Sequence, residues 1–173
     1  MNEQFEHKGH KISIEQDTDA VNPREECDQV GVMVCFHNRY SLGDKHAYKK
    51  ENYSDWDELY DDIKEEHNPI VILPLYLFDH SGITISTTPF SCSWDSGQVG
   101  FIYATGENIE KLIGHEIDEA QVKKHLENEV LTYDQYLRGD VFCYNIEQEG
   151  EVVDSCGGFY GFDYCKQCAM DAV

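Results

Sequence analysis

Residues 68–106 constrain the fold more than any other part of the chain, because this stretch is almost free of charge. Its only formally charged side chains are Asp79 and Asp95, and it is rich in Ile, Val, Leu, Phe, Tyr and Thr. Branched and aromatic residues favour strands, and so few charges are typical of a buried sheet. The stretch therefore predicts the centre of a β-sheet. Its strands are expected at Ile70–Phe78, Ile83–Thr87 and Gln98–Ala104.

Strand patterns on either side of this centre predict the rest of the sheet. Glu149 and Gly150 separate two strand-like runs late in the chain, which is the pattern of a β-hairpin. We therefore expect a mostly antiparallel sheet. The other predicted strands are Lys11–Glu15, Val30–Phe36, Asp140–Gln148 and Glu151–Asp154.

Apolar residues at helical spacing predict two or three helices. Ser54 is a plausible N-cap for a helix at 55–66, in which Trp56, Leu59, Tyr60 and Ile63 share one face. A second helix is predicted from near Asp118 to Gly139, and a shorter one at Glu107–Ile113. The predicted fold class is α+β, with a single mostly antiparallel sheet and the helices packed mainly on one face. We expect one domain over residues 1–173, with residues 1–10 and the last few loose.

The charge balance excludes several classes of function. The chain has 13 Lys and Arg residues against 34 Asp and Glu, a formal net charge of -21, so no basic face for nucleic acid is expected. The longest apolar run, Pro69–Phe78, is too short to cross a bilayer of ~30 Å. The polar first residues do not resemble a secretory signal. Seven cysteines without an export signal favour a reducing compartment. We therefore expect a soluble intracellular protein without disulfides.

The helix predicted at 55–66 concentrates the acidic charge on one face, with Lys64 as its only base. Duplex DNA carries one charge per ~1.7 Å, so 21 charges correspond to about 36 Å of duplex. A globule of this length has a diameter near ~40 Å, so the two charge densities are comparable. The face could imitate a row of phosphates, or it could simply keep the protein soluble. Its carboxylates are Asp55, Asp57, Glu58, Asp61, Asp62, Glu65 and Glu66.

Four motifs lie between about Val30 and Gly161: CFHNRYSLGDKH, VILPLYLFDHSGITIST, PFSCSWDSGQVGFIY and YDQYLRGDVFCYNI. Together they resemble a family of small acidic proteins encoded by bacteriophages, plasmids and related mobile elements. The resemblance implies a bacterial cytoplasm and an accessory role, but it transfers no catalytic residues. The last part of the chain, CGGFYGFDYCKQC, departs from the family pattern.

Charge density and this resemblance together suggest a non-enzymatic inhibitor from a mobile element. It would act on a host DNA-targeting defence complex, of anti-CRISPR or antirestriction type, by occupying the basic nucleic-acid channel as a DNA mimic. Such a protein would bind neither nucleic acid nor membrane directly, and the sequence leaves open whether it is a homodimer. A third hypothesis is a regulatory or replication-accessory module that binds its partner through the loops beside the sheet.

Two polar turns carry the alternative, a metal-dependent hydrolase or nucleotide-processing enzyme around Asp79, His80 and Asp95. The DHSG turn follows one predicted strand and the SWDSG turn precedes another, so both could meet at one sheet edge. Asp and His groups from such loops can hold a divalent ion and activate water. Ordinary turn chemistry explains the same residues. Further candidates are Asp44, His46 and His37 as ligands, Ser81 or Ser96 in a hydrolytic triad, and Cys92 in a thiol dyad with His80.

Four cysteines form a second candidate site. Cys143, Cys156, Cys165 and Cys168 include one C-x-x-C pair, which suggests zinc, although a structural zinc site normally has two such pairs. The alternative is that Cys143 fills a core strand position and that the last two are free thiols on a terminal helix. No cofactor other than this zinc alternative is predicted. The aromatic residues are expected in the core and not as a base-stacking surface, since no basic residues are interleaved with them.

Overall fold

The structure, a computed structural model, describes residues 2–115 and 117–173 and groups them into two compact units. Unit 1 contains residues up to 23 together with residues 135–173, and unit 2 contains residues 24–134. The sequence predicts one domain, and Met1 of its expected loose start lies outside the described residues. No helix in the described ranges is long and apolar enough to span a membrane.

Eight strands and five helices make up the secondary structure of the described residues, together with a 3₁₀ turn at Lys50–Asn52. The strands are β1 (Glu3–His7), β2 (His10–Gln16), β3 (Val32–Cys35), β4 (Val71–Asp79), β5 (Ile83–Ser86), β6 (Ser96–Ala104), β7 (Val141–Gln148) and β8 (Glu151–Tyr160). The helices are α1 (Pro23–Glu26), α2 (Trp56–His67), α3 (Gly106–Ile113), α4 (Glu119–Arg138) and α5 (Phe162–Asp171).

Unit 1 contains an antiparallel sheet of strand order β1-β2-β7-β8. Alternate residues of β2 and β7 point to one face, where α5 covers them. The resulting core includes Ile12, Ile14, Ile146 and the buried Cys165 and Ala169 of α5. The predicted hairpin at Glu149 and Gly150 is present as β7 and β8.

Unit 2 contains a second antiparallel sheet, of order β3-β6-β4-β5. Helix α2 packs its apolar stripe on this sheet, so that Leu59 and Ile63 are fully buried against Val34, Phe101 and Tyr103. Full burial of each such side chain stabilises the fold by about 1.5–3 kcal/mol. The helix therefore presents its opposite, acidic face to solvent.

The α+β class and the mostly antiparallel pairing are confirmed, but the single predicted sheet is wrong, because there are two sheets. The strands nearest the chain ends pair with each other, β2 with β7, and the middle strands pair among themselves, β3 with β6. Periodicity identifies strands but does not say which strands pair. The predicted N-cap also shifts by one residue, since Asp55 caps α2 by accepting a hydrogen bond from the Glu58 amide at 3.0 Å.

A buried arginine organises unit 2. The side chain of Arg24 is 1% exposed and donates to Asp44 through Nε at 2.8 Å and to Glu129 through Nη1 at 3.0 Å. It also donates to the Gly31 carbonyl at 2.7 Å, and Glu129 accepts from the Val30 amide at 2.7 Å. Arg24 therefore joins the loop after β3, the start of β3 and helix α4.

The carboxylates around Arg24 favour the charged form of its guanidinium. Burial alone lowers the pKa of Arg24, but the hydrogen bond and charge of Asp44, followed by the charge of Glu129, raise it above its ordinary value. Burial raises the pKa of Glu129 above its usual range, although the nearby guanidinium opposes that shift. The guanidinium of Arg24 therefore favours the charged form of Glu129 against the effect of burial.

Replacing Arg24 with methionine should destabilise unit 2 severely. The variant leaves two largely buried carboxylates unpaired, which typically costs about 3–5 kcal/mol of unfolding free energy. Urea denaturation followed by tryptophan fluorescence measures it, because both tryptophans, Trp56 and Trp94, lie in unit 2. The control is Arg39→Met, which removes an ion pair whose arginine is 68% exposed and should cost less than about 1 kcal/mol. Equal losses in the two variants would contradict the assigned role.

Candidate functional site

The seven acidic residues predicted as a partner-binding face all lie on or next to α2, and all are exposed. Four of them have structural partners. Asp55 caps the helix by accepting from the Glu58 amide, and Glu58 accepts from the Ser54 amide at 2.8 Å, so both carboxylates bond the backbone at the start of the helix. Asp62 and Glu66 accept hydrogen bonds from tyrosine hydroxyls. These four carboxylates are therefore held in place by the fold.

The other three carboxylates form a regular row. Asp57, Asp61 and Glu65 follow one another at intervals of four residues, so neighbours stand about 5–6 Å apart along one side of the helix. The structure gives none of them a hydrogen bond or ion pair within the described residues. Lys64 is the only base of the helix, and its ammonium lies 5.9 Å from the centre of the Tyr60 ring. The row is therefore available to a partner.

Tyrosines beneath the helix respond to its charge. Tyr53 donates its hydroxyl to Asp62 at 2.5 Å, and Tyr48 donates to Glu66 at 2.7 Å. Burial, the hydrogen bond to Asp62 and nearby carboxylate charges raise the pKa of Tyr53 to about 12. Burial and the charges of Glu66 and Asp44 raise the pKa of Tyr103 to about 12. The acidic face therefore suppresses ionisation of the phenols next to it.

These pKa shifts predict alkaline sensitivity. A tyrosine that holds its proton more tightly in the folded state contributes stability that is complete below its ordinary pKa of 10.0 and is lost as the pH approaches about 12. The free energy of unfolding should therefore fall across this interval. Tyrosinate absorbance measures the titration, and Tyr53→Phe should remove one late-titrating group. Ionisation of all eleven tyrosines near pH 10 in the folded protein would contradict the expectation.

The two polar turns do meet at one edge of the unit 2 sheet. The backbone amide of Asp79 donates to the Asp95 carbonyl at 2.8 Å, and His80 Nδ1 lies 3.2 Å from Asp95 Oδ2. The turn geometry is also present, because Ser81 has φ 57° and the His80 amide donates to the Gly82 carbonyl at 3.0 Å. The sequence therefore predicted that the two turns come together, and ordinary turn hydrogen bonding accounts for much of their geometry.

Asp79 is already engaged by neighbouring side chains. Its Oδ2 accepts from the Arg39 guanidinium in a short contact, and its Oδ1 accepts from the Tyr40 hydroxyl at 3.3 Å. Ser96 and Cys92 have hydrogen-bond partners other than His80. Ser96 donates its hydroxyl to the Cys92 carbonyl, and the Cys92 thiol lies 4.0 Å from Asp95 Oδ2, so its hydrogen-bond partner is a carboxylate.

The other proposed ligands have structural roles in unit 2. Asp44 binds Arg24 and also accepts from the Met33 amide at 2.7 Å. His46 Nε2 lies 3.1 Å from the Cys35 carbonyl, and His37 Nδ1 accepts from two backbone amides at 3.3 Å. In residues 2–115 and 117–173, no three His, Cys, Asp or Glu side chains are arranged to hold a metal.

The four candidate zinc ligands lie on three elements of unit 1. Cys143 is in β7, Cys156 is exposed in β8, and Cys165 and Cys168 are in α5, the terminal helix expected from the alternative interpretation. Cys165 is fully buried, and burial followed by the charges of nearby thiolates raises its pKa to about 12. Cys165 is therefore an unreactive core side chain.

Thiol reactivity should follow this burial pattern. Cys27 and Cys156 are exposed and should react first with a disulfide reagent, whereas Cys35 and Cys165 are buried and their pKa values are raised to about 12. The last two should react only on unfolding. The thiol count against time measures this, and Cys156→Ser should remove one fast equivalent. Fast reaction of Cys165 in the folded protein would contradict the structure.

Sequence reasoning missed a groove in unit 2. A cavity of about 360 Å³ is lined by both tryptophans, Trp56 and Trp94, together with Arg39 and Lys50. It shares Lys50 and part of the loop after β3 with a neighbouring cavity of about 730 Å³. The sequence feature that could have indicated this groove is the positive charge of residues 37–50, where four bases outweigh one acid in an otherwise acidic chain.

Comparisons of the chain with known protein families, with curated proteins and with solved structures give no match. The arguments for function therefore rest on the residues and their geometry.

Proposed function

We propose that the protein is a non-enzymatic acidic inhibitor that occupies the nucleic-acid-binding surface of a host DNA-targeting defence complex. The observation that carries the proposal is the row of Asp57, Asp61 and Glu65 on the solvent face of α2. The buried Leu59 and Ile63 stripe keeps this face turned to solvent.

The row has the properties that a phosphate mimic needs. Its carboxylates repeat at about 5–6 Å, close to the spacing of phosphates along a nucleic-acid strand. A second row, Glu58, Asp62 and Glu66, runs beside it and is held by the helix cap and the tyrosine hydroxyls. Fixed charges lose little freedom on binding, and the net charge of -21 steers the protein towards a basic channel.

The biological setting of this proposal comes from the resemblance to proteins of bacteriophages and plasmids. It supplies the bacterial cytoplasm as the location and an anti-CRISPR or antirestriction role as the expectation. Both remain predictions. The partner is defined by its chemistry: a DNA-processing protein with a basic channel.

A metal-dependent hydrolase around Asp79, His80 and Asp95 is the second candidate, favoured by the 3.2 Å contact between His80 and Asp95. For Asp79 to bind a metal, it would have to release Arg39 and Tyr40. Metal content of the purified protein and the effect of His80→Ala on it separate this candidate from the inhibitor.

Neutralising the acidic row should weaken partner binding. In Asp57→Asn, Asp61→Asn and Glu65→Gln combined, three exposed charges disappear while the helix cap and the tyrosine hydrogen bonds remain. We expect about a 3- to 100-fold loss of affinity, since exposed ion pairs contribute about 0.2–1 kcal/mol each. The measurement is capture of a DNA-processing protein from bacterial lysate, followed by titration of that partner.

The matched control removes three exposed charges elsewhere in unit 2: Glu107→Gln, Glu110→Gln and Glu119→Gln combined. It should bind like the wild type. Capture should also fail at about 0.5 M salt, where the screening length is only about 4 Å. Equal weakening in both triple variants would indicate a nonspecific charge effect, and capture that survives high salt would exclude mimicry.

A further inference from the structure

We propose that the groove between Trp94 and Lys50 binds a mononucleotide, with its base on the tryptophan side and its phosphate on the lysine side. This site is separate from the acidic row of α2 and goes beyond the inhibitory function. The cavity of about 360 Å³ falls within the range of small-ligand sites, and it opens next to the larger cavity of about 730 Å³.

Trp94 supplies the stacking surface. Its side chain is 94% exposed, the highest value among the exposed large hydrophobic residues of the described chain. Trp56 lines the same cavity and is held rigidly, with its ring 6.2 Å from Phe36 at 20° and 6.3 Å from Phe101 at 78°. A flat aromatic ligand would cover Trp94 without disturbing Trp56.

Basic side chains supply the anion-binding part. Arg39 is held by Asp79, and its guanidinium carbon lies 5.5 Å from the centre of the Tyr40 ring, which presets its position beside the cavity. Lys50 lines both cavities, and Lys45 and Lys49 line the larger one. An aromatic face next to several cations matches a nucleoside phosphate better than an uncharged aromatic molecule.

The surrounding charges limit the ligand to one nucleotide. Trp56 begins α2, so a strand extending past it would place its next phosphates near Asp55 and Asp57. Glu51 lies in the wall of the larger cavity and repels extension on that side. Inside the groove, Asp79 is paired with Arg39 and Asp95 contacts His80. These two carboxylates therefore repel a bound phosphate less than carboxylates without such contacts would.

The test is calorimetric titration of the purified full chain with AMP, GMP, CMP and UMP. Adenosine and inorganic phosphate serve as partial ligands, and a tetranucleotide represents a strand. We expect at least one mononucleotide to bind tighter than both partial ligands and tighter than the tetranucleotide. Absence of binding by all four mononucleotides would overturn the proposal, and so would tighter binding of the tetranucleotide.

Three variants assign the two halves of the site. Trp94→Ala should weaken nucleotide binding at least tenfold without disturbing the core, because Trp94 is 94% exposed. Trp94→Phe should restore most of the binding, because phenylalanine keeps an aromatic face for stacking. Lys50→Ala should weaken the nucleotide but leave adenosine unchanged. The control is Lys124→Ala, which removes an exposed lysine of α4 outside both cavities. Wild-type affinity in the Trp94→Ala variant would overturn the assignment.

The neutralised α2 variant separates this proposal from the inhibitory one. Asp57→Asn, Asp61→Asn and Glu65→Gln combined should bind the mononucleotide at least as tightly as the wild type, because they remove only repulsive charge. A protein that binds nucleotide but captures no partner would disprove the inhibitor alone. The reverse result would disprove the nucleotide site alone.

Discussion

The buried guanidinium of Arg24 is the interaction on which the rest of unit 2 depends. It fixes Asp44 at one end of the loop that leads through Lys50 to α2, and it fixes Glu129 on α4. A charge so fully removed from water is favourable only when its donors are satisfied, and here two carboxylates and the Gly31 carbonyl satisfy them. The acidic helix follows this loop in sequence, and Arg24 and Asp44 line the larger cavity that adjoins the groove, so both surfaces rely on this cluster.

The elements of this fold could be predicted from local sequence, but their partners could not. The pattern of helix α2 and the turn at Gly150 depend on neighbouring residues, and both were predicted close to their observed bounds. The division into two sheets depends on pairing between distant strands, such as Lys11 with Glu147. Asp44 was predicted as a metal ligand because it lies near His46 and His37 in sequence, whereas its actual partner, Arg24, lies 20 residues earlier in the chain.

The candidate surfaces could likewise be predicted only where they depend on residues that are close in sequence. Periodicity placed the acidic residues of α2 on the solvent face, and strand order brought the turns of Asp79 and Asp95 together. Periodicity could not show that the hydroxyls of Tyr53 and Tyr48 donate hydrogen bonds to two of these carboxylates. The groove went unrecognised because its tryptophans, Trp56 and Trp94, lie outside the basic run of residues 37–50, and only the fold brings them beside Arg39 and Lys50.

The pairing of β2 with the distant strand β7 has a consequence for synthesis of the chain. The strands β1 and β2 leave the ribosome before β7, and Lys11 pairs with Glu147, which is translated 136 residues later. At about 5–20 residues per second, the first hairpin waits about 7–27 s for its neighbouring strand. Two-stranded hairpins are marginal alone, and Ile12 and Ile14 are exposed throughout this interval. Unit 2 is thus synthesised in full while unit 1 still lacks β7 and β8. The waiting hairpin of β1 and β2 is where a chaperone would bind.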